Sequence, residues 1–343
     1  MDKIRFGIIG LGIMGQNYLD IYNSQNSMTQ VVAVTNRSEE RLNNVGDKFA
    51  ISDNDRYTDY RKMLERKDLD AVVVATPDFA HTKTVLDALS AGKHVLCEKP
   101  MTTSTIEADQ IVDAVKKSNL KLQVAYNHRW LSSYYEAKMQ ILNGQIGKPL
   151  MAYARKNDTI FVSTEMINWA SKTTSTFFLS AHDVDLVRWY FDSEPVEARA
   201  YGIKEVLVKK GIDTYDLIQG QVKFKNGSIA TFESGWIYPN TFPTVVDSFV
   251  EVIGSNGHIH LDRKYESIEI SNDKSFTYPK TFTFKKIFGK IHGSLKGCLD
   301  SFVDSIFNNS EPVVSAYDGR QVSAVLEAIV ESANKNGETV KVK

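Results

Sequence analysis

The run Ile4-Arg5-Phe6-Gly7-Ile8-Ile9-Gly10-Leu11-Gly12-Ile13-Met14-Gly15 decides how the rest of the chain is read. Its first half is rich in large apolar side chains, as a buried strand requires, and its second half fits G-x-G-x-x-G. Glycines at that spacing also mark ordinary turns, so the setting carries the inference. Here the pattern leaves a strand and opens a helical stretch, Met14 to Ser24. Gly10 can then make the tight turn, Gly12 can let a pyrophosphate approach the backbone, and Gly15 can let the helix pack closely. The amino terminus of the helix faces the anion. The hexapeptide Gly10, Leu11, Gly12, Ile13, Met14 and Gly15 is therefore the candidate cradle for a dinucleotide.

Outward from this point the chain alternates. Val31 to Thr35 reads as a strand and Ser38 to Phe49 as a helix capped by Ser38. A strand at Ala71 to Ala75 follows, then a helix at Ala80 to Ala91 closed by Gly92, and a strand at His94 to Cys97. Ser104 to Ser118 reads as a helix and Leu122 to Tyr126 as a last strand. Strand and helix in turn imply an α/β architecture, a doubly wound parallel sheet of the Rossmann type over residues 1–126. After Tyr126 the rhythm changes. One amphipathic helix near Tyr134 to Leu142 gives way to long β-type stretches such as Leu217 to Phe224 and Ser228 to Trp236, joined by the hairpin signal Asn226-Gly227. A final helix is expected at Val322 to Asn334. Residues 127–343 are thus predicted to be an α+β domain with a large, mainly antiparallel open sheet. Such a sheet must cover an apolar face, and a second copy of the chain, as homodimer or homotetramer, is the common solution. Cover by the chain's own helices is the alternative.

Bulk properties narrow the function. A chain of 343 residues suits two domains, and 42% hydrophobic with 24% charged residues is a globular balance. With 41 basic and 42 acidic residues intermixed, no basic field exists to gather nucleic acid or an anionic membrane. Cys97 and Cys298 lie far apart without metal-ligand spacing and read as reduced, buried thiols. Met1 leads almost directly into the first strand, so no leader is expected and the cytoplasm is the expected compartment. His258 and His260 share one strand face, but no third ligand has convincing spacing, so no metal is expected.

Two features bear on chemistry. An acid usually ends the second strand of such a domain and binds the adenosine ribose. Asn36 stands there, removing a charge that would repel a 2'-phosphate, and Arg37 beside it can pair with that phosphate. The reading is NAD or NADP, leaning to NADP. A solvated Arg37, or one stacked on adenine in either cofactor, is the plainer alternative. Glu98-Lys99-Pro100 lies just past the carboxyl end of a parallel strand, where open α/β sheets bind ligands. Pro100 biases Lys99 away from helical geometry, which suits an ammonium held over a crevice. An exposed turn would carry the same residues.

Taken together, the Gly10 to Gly15 fingerprint, Ala75-Thr76-Pro77 with His81, and Ala91-Gly92-Lys93-His94-Val95-Leu96-Cys97-Glu98-Lys99-Pro100 resemble the glucose-fructose oxidoreductase, inositol dehydrogenase and rhizopine-catabolism (Gfo/Idh/MocA) family. Asn127-His128-Arg129-Trp130, Gly144 to Pro149 and Ile253 to Gly257 resemble its second domain, so the likeness spans the chain. The resemblance implies that Lys99 is catalytic with His182 as its partner, and that Thr76, Pro77, His81 and Glu98 line the nicotinamide half of the cofactor. Read alone, His81 would be a surface residue at a helix start and His182 a capping or structural histidine. A neutral imidazole suits removal of a hydroxyl proton, and an ammonium suits stabilisation of the alkoxide. Asp185, on the same helix face as His182, can orient the imidazole or bind substrate. Inositol-oxidising members resemble one another in an aspartate four positions before the histidine, where this chain has Phe178. Arg129, Arg155 and Asn157 are further substrate contacts to weigh against surface or inter-element roles. The function implied is hydride transfer to or from a hydroxyl or ketone of a sugar, inositol or related polyol. A reductase of a different carbonyl or imine and a non-catalytic nucleotide sensor are the alternatives.

Overall fold

A computed structural model describes residues 3–25 and 28–343. The first residues of the expected nucleotide domain, Met1 and Asp2, lie outside the described residues. Two compact units emerge, the first made of Met1–Thr102, Ile106–Tyr126 and Phe284–Arg320, the second of Thr103–Thr105, Asn127–Thr283 and Gln321–Lys343.

In the first unit β1 (Ile4–Ile9), α1 (Ile13–Gln25), β2 (Thr29–Thr35) and α2 (Glu39–Lys48) form the opening βαβα unit. The hydroxyl of Ser38 accepts from the Arg41 amide at 3.3 Å, the cap its position predicts. A two-residue strand, β3 (Arg56–Tyr57), and a short helix, α3 (Tyr60–Leu64), follow; both are too brief to show periodicity in sequence. Then come β4 (Ala71–Val74), α4 (His81–Ser90), β5 (His94–Cys97), α5 (Thr105–Lys116) and β6 (Leu122–Val124). The strands lie in the order β3-β2-β1-β4-β5-β6, every pair parallel. The interior strands are apolar because both faces are covered: all four residues of β4 are buried. Order reverses between β1 and β4, the switch point at which such sheets bind ligands.

The second unit contains α6 (Ser132–Leu142), β7 (Pro149–Thr159), α7 (Ala181–Phe191), β8 (Pro195–Ile203), β9 (Leu217–Phe224), β10 (Ile229–Tyr238), β11 (Val246–Gly254) and β12 (His258–Asp262), with a small hairpin of β13 (Ile270–Ser271) and β14 (Phe276–Thr277). The Asn226-Gly227 turn forms as its chemistry dictates: Gly227 has φ +89°, and the Asn226 side chain accepts from the Ser228 amide at 3.0 Å. Along β9 burial alternates, with Ile218, Gly220, Val222 and Phe224 inward and Gln219, Gln221 and Lys223 outward.

The chain then supplies the hairpin of β15 (Lys285–Ile287) and β16 (Lys290–His292) and the helix α8 (Ser294–Phe307), which belong to the first unit. This departs from the expectation that all of 127–343 forms one domain. Helix α8 buries Leu295, Cys298, Leu299, Phe302 and Val303, an i, i+3, i+4, i+7, i+8 stripe. Such a stripe demands a core without saying which one. Phe302 packs 6.2 Å from the ring of Phe6, and the Gln123 amide donates to the Cys298 carbonyl at 2.7 Å. Last come α9 (Ala316–Asn334) and β17 (Val340–Lys341). The helix starts six residues before the expected Val322, at a capping box in which the Ser315 amide donates to the Asp318 carboxylate at 2.9 Å and the Asp318 amide to the Ser315 hydroxyl at 3.2 Å. In the second unit's sheet the order is β12-β11-β7-β10-β9-β8-β17. Neighbours are antiparallel except for the parallel pair β7 and β10. Over its inner face, Ile329 of α9 approaches Gly220 and the Ser332 hydroxyl accepts from the Ala200 amide at 2.8 Å. None of the described helices is long and apolar enough to cross a membrane.

Candidate active site

Two clusters hold the residues singled out from sequence, one in each unit. In the first unit the glycines occupy three different environments. Gly10 has φ +95°, and a Cβ there would lie 2.5 Å from the Ala75 carbonyl oxygen; one at Gly15 would lie 1.9 Å from that of Gly10. Around Gly12, by contrast, nothing comes within 4 Å of where a Cβ would sit. Two glycines thus exist for the protein's own packing, and the third leaves space at the amino end of α1, where free amides attract a diphosphate. This open, glycine-lined turn fits a dinucleotide. Leu11 is buried, Met14 partly so, and Ile13 is exposed beside the turn. Asn36 does more than end β2: its Oδ1 accepts from the Leu11 amide at 3.2 Å and its Nδ2 donates to the Ser38 carbonyl at 3.1 Å. It thereby ties the glycine turn to the loop beyond β2. Arg37 is exposed and forms no ion pair among the described residues.

Beyond β4 and β5 lies the lysine corner. His81 is 1% exposed, contrary to the surface position it suggests when read alone. Its Nε2 lies 2.8 Å from the Thr76 carbonyl oxygen and its Nδ1 2.8 Å from that of Pro100, so one imidazole spans the Thr76-Pro77 turn and the lysine loop. Glu98 is buried, and one carboxylate oxygen accepts a short hydrogen bond from Tyr18 of α1. Its other oxygen accepts from the Lys99 amide at 3.0 Å. Burial and the adjacent Glu98 push the Tyr18 phenol well above its ordinary pKa, so it remains a donor. Lys99 itself is half-buried. Sequence reasoning missed Tyr18, because nothing in an isolated tyrosine of α1 marks a partner eighty positions away.

In the second unit a five-residue π-helical turn, Thr176–Ser180, runs directly into α7. Such turns recur at functional sites because they re-aim the side chains that follow. His182 lies in the first turn of α7, 8% exposed, with its ring stacked on that of His128; the centroids are 3.9 Å apart and the planes 8° from parallel. Asp185, fully buried, accepts from Nε and Nη2 of Arg129 at 2.9 and 2.6 Å. Asp183 pairs with Lys156 of β7 at 2.6 Å, with both side chains buried. Acids in the first turns of α7 also complement the helix dipole. Removing one partner of such a pair strands a buried charge at a cost of about 3–5 kcal/mol. Arg129 is therefore committed to Asp185, as Arg155 is to Asp247 at 2.9 Å. Asn157 donates to Glu233 at 2.8 Å and Tyr238 at 3.1 Å. Phe178 sits in the π turn against Trp169 and Trp236, with centroids at 5.9 and 6.2 Å. His128, Lys156 and Asp183 were not singled out from sequence, although His128 stands inside a quoted motif.

A glycine cradle at the switch point of a parallel six-stranded sheet, with a lysine past the next strand, defines a nucleotide-dependent oxidoreductase. The Gfo/Idh/MocA family pattern, described as an oxidoreductase family with an NAD-binding Rossmann fold, matches residues 4–126, and that of its C-terminal alpha/beta domain matches 138–342. The chain belongs to this family. It is 25% identical over 323 residues to a myo-inositol 2-dehydrogenase of Thermotoga maritima, covering 92% of both chains. It is 30% identical over 247 residues to oxidoreductase P35 of Formosa agariphila, covering 68% of this chain and 73% of that one. Scyllo-inositol dehydrogenase from Lactobacillus casei, solved with NAD(H) and scyllo-inositol, shares the fold at a TM-score of 0.84, with 22% identity and 99% coverage of each chain.

Proposed function

We propose that this protein is an NAD(P)-dependent oxidoreductase moving hydride between the nicotinamide and a hydroxyl or ketone of a sugar, inositol or related polyol. The observation that carries the reading is the open space at Gly12 in the amino-terminal turn of α1, in the same unit as a half-buried Lys99 anchored through Glu98 and Tyr18. The cofactor, when bound, supplies the hydride acceptor or donor. The turn from Gly10 through Leu11, Gly12, Ile13 and Met14 to Gly15 receives its pyrophosphate at Gly12, shaped by the packing of Gly10 and Gly15, and Asn36 and Arg37 meet its adenosine end; Thr76, Pro77, His81, Glu98 and Lys99 line the nicotinamide end. Lys99 stabilises the alkoxide, His182 takes the hydroxyl proton, and Asp185 holds Arg129 in place beneath the histidine's helix. Relatives named for inositol oxidation support the substrate class. Phe178 packs in the apolar cluster of Trp169 and Trp236, so no carboxylate stands at that position to hold a substrate hydroxyl. The test is turnover, followed by nicotinamide absorbance, with NAD and NADP against inositols, sugars and their ketones. Tight nucleotide binding without hydride transfer to any of them sinks the reading and leaves a sensor.

Between the two cofactors the reading leans to NADP, since Asn36 carries no charge and Arg37 is available to a 2'-phosphate. Arg37→Ala is expected to raise KM for NADP by about tenfold while leaving KM for NAD nearly unchanged. Equal effects on both overturn the lean. A second copy of the chain is the proposed cover for the outer sheet face, where Tyr201, Ile203 and Ile229 are exposed; a monomeric mass in light scattering removes it. Cys97 and Cys298 are buried thiols outside any disulfide, which suits the cytoplasm we propose.

A further inference from the structure

We propose that His128 is a positioning residue for His182, with its ring face both fixing the plane of the His182 imidazole and bearing the charge that imidazole acquires. This rests on the reading of His182 as the base. His128 lies in the short turn Asn127–Trp130 and His182 in the first turn of α7, yet their rings lie 3.9 Å apart and within 8° of parallel. Tyr134 of α6 braces His128 from its edge, with centroids 5.7 Å apart at 71°. Two buried rings clamped in this way lose the freedom to rotate that a lone surface histidine keeps.

Consequences for proton transfer follow from the stack. When a substrate O–H bond breaks and the proton forms an N–H bond on His182, positive charge appears directly over the π face of His128. A neutral imidazole face attracts that charge, as aromatic faces attract cations in desolvated sites. A second proton on His128 would place two like charges face to face, so the stack takes its second proton only at lower pH than its first. Charged groups of the packed elements include Lys138 of α6, which donates to the Trp189 carbonyl, and Arg263 and Asp262, which act on Tyr134. Lys156 of β7 pairs with Asp183, and Arg129 of the His128 turn pairs with Asp185. β10 contributes the uncharged Ser234 beside the π turn, and burial raises the Tyr134 phenol above its ordinary range.

The test is proton NMR of the imidazole signals of the full-length protein without cofactor, assigned by single substitution among the seven histidines, combined with steady-state kinetics. In the wild type, His128 and His182 are expected to titrate as two linked steps. His128→Phe keeps a ring face that cannot take a proton and should leave His182 a single step. His128→Leu removes the face, moves the His182 step and the acid limb of kcat/KM to lower pH, and lowers kcat by about tenfold with KM little changed. Phe should recover most of that loss. Independent titration in the wild type, or Leu and Phe variants of equal kcat with the His182 step unmoved, overturns the proposal. His182→Asn separates the two ideas: full activity in that variant removes the base assignment, while the NMR coupling still decides the stack.

Discussion

Lys99→Ala is expected to lower kcat by about a hundred- to a thousandfold while nucleotide affinity stays within a few fold of wild type. The magnitude is that of losing one preorganised group aimed at developing negative charge. It applies here because the backbone beneath Lys99 is rigid. Its amide donates to Glu98, and Glu98 is fixed in turn by Tyr18, a donor that burial keeps protonated. Anchoring the backbone gives the four-carbon side chain a fixed origin, which removes part of the cost of orienting its ammonium. Kinetics on the best substrate of the polyol panel, paired with fluorescence titration of the nucleotide, checks both halves. Turnover preserved in Lys99→Ala would sink the catalytic assignment. Loss of nucleotide binding with unchanged kcat at saturation would instead make Lys99 an anchor for the cofactor.

Gly12→Ala should abolish tight nucleotide binding, by about a hundredfold or more, in a protein that folds and melts like the wild type. Its added methyl meets no protein atom within 4 Å, so the fold admits it and any loss of affinity is read on the ligand's side of the turn. Gly15→Ala and Gly10→Ala are expected to behave in the opposite way. Their methyls would lie 1.9 and 2.5 Å from carbonyl oxygens of the protein itself, and Gly10 adds a φ of +95°. Both should fail first in stability, because the backbone must shift to admit them. Thermal unfolding by circular dichroism, set beside nucleotide titration for all three, distinguishes the two kinds of damage. Wild-type affinity in Gly12→Ala would show that the diphosphate does not use this turn.

Most of the first unit was legible because its signals are local. The apolar runs of β1, β4 and β5, the Ser38 cap and the closing Gly92 each act within a few residues, and each formed the element it announces. Elements with little periodicity went unseen, as with β3 at two residues and α3 at five. Long-range partners were the larger gap. Tyr18 with Glu98, His128 with His182, and Lys156 with Asp183 join positions that no spacing rule connects. His81 shows the same limit from the other side. Its motif suggested the cofactor, but its burial between two carbonyls depends on the lysine loop returning past α4. Asn36 lacks the charge of the usual acid, and its side chain also holds the Leu11 amide, a contact that no local pattern marks.

The return of Phe284–Arg320 to the first unit bears on how this protein can be cut. An expressed fragment ending at Tyr126 would carry the whole parallel sheet and every glycine of the cradle, yet it would leave the Phe6 ring without Phe302 and the Gln123 amide without the Cys298 carbonyl. Water would meet an apolar sheet face, and the fragment would aggregate or melt early despite having all its nucleotide contacts. A minimal binding module therefore needs the helix from near the other terminus spliced back by a linker, and a stop codon far downstream can damage the nucleotide unit while leaving its motifs untouched.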